Sequence, residues 1–100
     1  MNLSIVIPAY NEEESISELI TSIKNNVPSS IKYEVIIVDD GSTDNTWGII
    51  KNQVNENNFL KGIRFLKNYG KSAALDIGFK NSSGETIITM DADLQDDPIE

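Results

Sequence analysis

The stretch Thr86-Ile87-Ile88-Thr89-Met90-Asp91-Ala92-Asp93-Leu94-Gln95-Asp96-Asp97-Pro98 sets an uncharged, β-branched run directly against a cluster of acids. Such a run reads as a strand buried on both faces, and the switch at Asp91 marks where it meets solvent. Carboxylates crowded at one strand end repel one another by on the order of several kcal/mol per pair unless a cation sits among them. Asp91 and Asp93 alternate along an extended chain and point the same way, and Gln95 continues the series with a neutral oxygen. Oxygen ligands select a hard ion, Mg2+ or Mn2+, and a chain without Cys or His cannot build a zinc site from them. The competing reading is a solvated acidic turn, because Asp-x-Asp is common by chance. Its place at the close of an apolar strand favours a site.

Working upstream, the same punctuation recurs. Leu3 to Ile7 reads as a buried strand stopped by Pro8. Asn11 with Glu14 has the spacing of a capping pair, and Ile16, Leu19, Ile20 and Ile23 form the stripe of an amphipathic helix. Tyr33 to Val38 is a second buried strand that also ends in acid, at Asp39 and Asp40. Gly41 to Asp44 turns into a second helix with Trp47, Ile50 and Val54 on its buried face. A shorter third strand, Gly62 to Leu66, is expected at an edge. Ser72 is expected to cap a third helix carrying Ala74, Ile77 and Gly78 on its packed face, and Glu85 to Met90 is the fourth strand.

Strand and helix in alternation imply an α/β, doubly wound, mainly parallel sheet. Ligands bind such folds outside the carboxyl ends of the strands, where the strand order reverses. With the order 3-2-1-4, the ends at Pro8-Ala9-Tyr10, Asp39-Asp40 and Asp91-Ala92-Asp93 are neighbours. A cation held there would bridge carboxylates to phosphate oxygens, so a nucleoside diphosphate fits. No G-x-G-x-x-G follows the first strand and no Walker A loop exists, which argues against dinucleotides and P-loop chemistry.

Composition narrows the partners. The 100 residues are 39% hydrophobic, enough for one modest core, and the formal charge is −8 with no basic stripe, which argues against nucleic acid. No run of about 18 apolar residues is present and no signal peptide precedes the first strand, so a cytoplasmic setting is expected. The ending Asp97-Pro98-Ile99-Glu100 carries no closing element, so the native protein is expected to continue.

Four segments, VIPAYNEEESI (residues 6–16), VIIVDDGSTDNT (35–46), NYGKSAALDIGF (68–79) and TMDADLQDDP (89–98), resemble in order the signatures of family 2 glycosyltransferases of the GT-A fold, nearest to the dolichyl- and undecaprenyl-phosphate sugar transferases. The resemblance covers nearly the whole chain. It implies a metal-dependent inverting transferase that takes a nucleotide-diphospho-sugar donor and a lipid phosphate or glycan acceptor. It implies nucleotide-sugar contacts from Pro8, Ala9, Tyr10, Glu12, Val38, Asp40, Asp91, Ala92 and Asp93, with Mg2+ or Mn2+ on Asp91, Asp93 and Gln95. No catalytic base is assigned. Residues 1–100 would be the nucleotide-sugar-binding half of the domain, inactive alone, working at the cytoplasmic face of a membrane reached only through a missing C-terminal part.

Each residue has a plainer role to set beside this one. Pro8 terminates strands. Tyr10 can cover a core edge, and Glu12 suits a helix dipole. One of Asp39 and Asp40 is structural, with Asp40 favoured as ligand and Asp39 as support for the turn at Gly41 and Ser42. Lys71 can reach a phosphate or simply be solvated, Asp96 and Asp97 read as solvated or as caps, and Trp47 reads as core. A haloacid-dehalogenase-type phosphotransferase would place its Asp-x-Asp on the first strand and a Thr or Val where Gln95 stands. A receiver-like module would carry its acid pair after the first strand, where this chain has PAYNEE. A nucleotide-binding fragment that catalyses nothing is the remaining alternative.

Overall fold

Val35, Ile36, Ile37 and Val38 are all fully buried, and they divide alternately between two cores. Val35 and Ile37 join Ile5, Ile7, Ile16, Leu19, Ile20, Ile23, Ile50 and Leu60, whereas Ile36 and Val38 join Ala74, with Ile63, Phe65 and Ile77 packed alongside. Period-two alternation with both faces covered is why the strand is a continuous apolar run.

The computed structural model describes residues 1–92. Its elements are β1 (Leu3–Ala9), α1 (Ile16–Asn26), β2 (Tyr33–Asp39), α2 (Thr46–Glu56), β3 (Leu60–Arg64), α3 (Lys71–Lys80) and β4 (Thr86–Thr89). The strands form one parallel sheet in the order β3-β2-β1-β4, as expected from the sequence. Helices α1 and α2 contribute to the larger core and α3 to the smaller, so they lie on opposite faces. The chain runs outward from β1 to β3 and then crosses back to place β4 beside β1. The order therefore reverses between β1 and β4.

Several local expectations are corrected. Pro8 does not stop β1, which pairs with β2 as far as Ala9↔Asp39. Met90 N–H donates to Val6 O, so the Pro8 nitrogen, two residues further on, faces the β4 side beyond the last of those rungs and forfeits no bond. Asn11 does not cap α1, which begins at Ile16 with Ser15 in the cap position. Asn11 instead takes a left-handed conformation, φ 53°, and bonds to the opposite loop. β3 starts two residues earlier than expected and ends at Arg64, because the Phe65 N–H to Asp39 O bond closes its ladder and Leu66 projects into solvent. Gly70, not Ser72, caps α3: at φ 103° it turns the chain, and its carbonyl accepts from Ala74 N–H.

The largest departure is β4. Every residue from Thr86 to Thr89 is exposed, including Ile87 and Ile88 at 42% each, contrary to a strand buried on both faces. β4 is the sheet edge next to β1, and neither core cluster of the described residues reaches its two faces. Trp47 is partly buried, as a core residue, against Gly62 and beneath the Arg64 guanidinium.

Candidate nucleotide site

Pro8, Ala9, Tyr10, Glu12, Asp40, Lys71, Asp91 and Ala92 line one cleft of about 160 Å3. It lies at the carboxyl ends of β1, β2 and β4, beside the strand-order reversal where open α/β sheets bind ligands. Ligand sites span roughly 300–1,000 Å3, and the cleft of the described residues is smaller than that.

β1 delivers Pro8 and Ala9 to the rim and leaves Tyr10 just past it, with 44% of its surface exposed to whatever enters. The two acids after β2 face opposite ways. Asp39 is wholly buried: its Oδ1 accepts from Ser42 N–H and Oγ–H, which ties down the Gly41-Ser42 turn as expected, while Oδ2 has no partner among the described residues. Asp40 lies on the α3 side. Its Oδ1 accepts from Tyr69 N–H at 2.8 Å, and its Oδ2 from Gly70 N–H at 3.0 Å and Asn68 Nδ2 at 3.3 Å. Asp40 therefore lines the cleft and also fixes the loop that starts α3. That loop approaches β2 closely: a Cβ on Gly41 would lie 2.2 Å from the Lys67 carbonyl carbon, and Gly41 has φ 73°. Only glycine fits there on both counts.

The α3 N-terminus brings Lys71 into the cleft, and its Nζ meets Asp91 Oδ1 at 2.8 Å. Of the two readings the sequence leaves to this lysine, phosphate contact or solvation, the fold sets it at the cleft with 62% of its side chain exposed. Ala92 is buried, and its carbonyl lies 3.0 Å from Ser15 Oγ, which is also 3.1 Å from Glu12 Oε2. With one proton, Ser15 donates to either but not both. Asn11 was missed as a residue that shapes the site because Asn near a helix start reads first as a cap, and Ser15 carried no signal of its own in the sequence.

Of the nucleotide-sugar contacts expected, Pro8, Ala9, Tyr10, Glu12, Asp40, Asp91 and Ala92 converge. Val38 does not line the cleft, since its side chain is buried in the smaller core. Asp93 and Gln95 lie outside the described residues, as do Asp96 and Asp97. Of the expected metal ligands only Asp91 is described, and among the described residues no group of three or more His, Cys, Asp or Glu is placed to hold an ion. The carboxylate of Asp91 at the mouth suits a hard ion.

Comparison with known proteins bears on the family and the fold. The undecaprenyl-phosphate 4-deoxy-4-formamido-L-arabinose transferase of Proteus mirabilis is 43% identical over 100 residues, covering 98% of this chain and 31% of the relative. Among solved structures, S. aureus TarS 1-349 in complex with UDP is 33% identical with a TM-score of 0.81, over 93% of this chain and 28% of that one. The mannosyltransferase PcManGT of Pyrobaculum calidifontis, in complex with GDP-Man and Mn2+, is 28% identical with a TM-score of 0.83, over 92% and 27%. This chain thus spans about a third or less of each relative. No helix among the described residues is long and apolar enough to cross a membrane. A model of the family described as glycosyl transferase family 2 matches residues 4–100, and the chain belongs to that family rather than to the phosphotransferase or receiver alternatives.

Proposed function

We propose that this chain is the nucleotide-sugar-binding half of a metal-dependent, inverting glycosyltransferase that moves a sugar from a nucleoside diphosphate to a polyprenyl phosphate. The observation that carries the reading is the meeting of three strand exits and the α3 N-terminus in one cleft. Pro8, Ala9, Tyr10 and Glu12 take the nucleoside, with the exposed Tyr10 ring available to stack on a base. Asp40 flanks it from the exit of β2. Asp91 and Ala92 run along the ribose and diphosphate.

Asp91, Asp93 and Gln95 would hold Mg2+ or Mn2+; the Mn2+ bound to PcManGT supports the choice. Such an ion supplies charge neutralisation of the departing diphosphate. Lys71 and the positive end of the α3 dipole lie where that negative charge grows, and they favour the leaving group on the same ground. A lipid phosphate is already ionised and attacks the anomeric carbon without a strong general base, which suits inversion. The undecaprenyl phosphate in the name of the Proteus mirabilis relative supports that acceptor.

The test is to incubate the full-length protein with Mn2+, UDP-GlcNAc or GDP-mannose, and vesicles containing undecaprenyl phosphate. Release of nucleoside diphosphate with an inverted lipid-linked sugar is expected. Donor binding without any lipid product would remove the polyprenyl acceptor, and no binding of either donor would remove the reading.

A further inference from the structure

Asn11 is the one non-glycine residue at positive φ among the described residues, and it sits between two lining residues, Tyr10 and Glu12. Its backbone N–H donates to Ser42 Oγ at 2.8 Å. Its side-chain Oδ1 accepts from Thr43 N–H at 2.9 Å, Asp44 N–H at 3.3 Å and Thr43 Oγ at 3.3 Å. Backbone amides can only donate, so the carbonyl side of the Asn11 amide must face them. The pairing continues outward: Glu12 N–H donates to Thr46 Oγ1 at 2.8 Å and Asn45 N–H to Glu13 Oε2 at 3.0 Å. Thus the loop after β1 is laced to the loop after β2, with Asn11 at the centre.

From this lacing we infer that Asn11 is a positioning residue: it holds the β1–α1 loop against the β2–α2 loop in the one backbone conformation that presents Tyr10 to the cleft. The inference rests on the proposed nucleotide site and adds to it the device that sets its base-side wall. A left-handed residue redirects the chain at a single point, and asparagine tolerates that conformation far better than alanine does. Tyr10 has nearly half its surface exposed, so its direction depends on the backbone rather than on core packing.

The test measures binding of UDP and GDP, each with Mn2+, by calorimetry on the full-length protein and its variants, alongside thermal denaturation. Asn11→Ala is expected to weaken binding roughly tenfold, a coupling of ordinary size for residues acting through one another. Asn11→Asp, which keeps an acceptor and the left-handed preference, should recover most of it. Asn11→Gly keeps the backbone freedom without the acceptor, folds more readily than the alanine variant, and should still bind weakly. In a Tyr10→Ala background the Asn11 effect on affinity should vanish while its effect on the melting temperature persists. Equal losses with and without Tyr10, or wild-type affinity in both Asn11→Gly and Asn11→Ala, would overturn the inference and leave the nucleotide site standing. Failure of the wild-type protein to bind either nucleotide would remove both.

Discussion

Lys71 Nζ lies 2.8 Å from Asp91 Oδ1, joining the first residue of α3 to the exit of β4 across the cleft. Both side chains keep solvent contact, at 62% and 36% exposure, so the pair contributes only about 0–1 kcal/mol to stability. Lys71→Ala should therefore leave the melting temperature nearly unchanged, while a cation lost beside the diphosphate weakens UDP or GDP binding roughly tenfold. Calorimetry and thermal denaturation on the same preparations separate the two effects.

A second acidic network sits at the opposite end of the sheet. Glu34 is buried, and its carboxylate accepts from Ser4 Oγ–H at 2.6 Å, Lys61 Nζ at 2.8 Å and Ser83 N–H at 2.6 Å, while Ser4 Oγ accepts from Gly84 N–H. Burial pushes the carboxyl up, but the bonds from Lys61, Ser4 and Ser83 together outweigh it and hold Glu34 below its usual value of 4.5. Ionised Glu34 thus stabilises the fold above that pH, and the contribution disappears as pH falls through the lower folded value. Glu34→Gln should cost about 1–3 kcal/mol at neutral pH. Denaturant midpoints taken from about pH 7 to about pH 3 should fall less steeply in the variant than in wild type.

The fit of α3 on the sheet gives another expectation. A Cβ on Gly78 would lie 2.3 Å from Val6 Cγ1, a stiff side chain with no exposed surface. In an open helix Gly→Ala gains roughly 1 kcal/mol. Here Gly78→Ala should instead lose about 1–3 kcal/mol through overpacking. Chemical denaturation measures it, and Val6→Ala in the same chain should recover part of the loss.

Much of this molecule is legible in its residues because burial and periodicity act locally. The Ile16, Leu19, Ile20, Ile23 stripe is buried as the spacing requires, and the runs of β1 and β2 declare strands covered on both faces. Alternation implies parallel strands, and the expected order 3-2-1-4, which makes the three polar strand ends neighbours, is the order observed. What escaped depends on partners far along the chain. Asn11 looks like a cap until the loop it bonds is folded beside it, and Gly70 displaces Ser72 as the start of α3 because Asp40 holds its amide. The apolar run of β4 correctly signals a strand, but among the described residues that strand is the sheet edge and its side chains are exposed, which an apolar run alone does not reveal.

On the proposed function, the exits of β1, β2 and β4 form one cation-dependent site for a nucleoside diphosphate. Its most direct test is calorimetric titration of the full-length protein with UDP and GDP, with Mn2+ and again with excess chelator. Binding of one nucleotide with Mn2+, abolished by chelator and by Asp91→Ala or Asp93→Ala with little change in melting temperature, is the result predicted. Equal affinity with and without the metal, or in both aspartate variants, would contradict it.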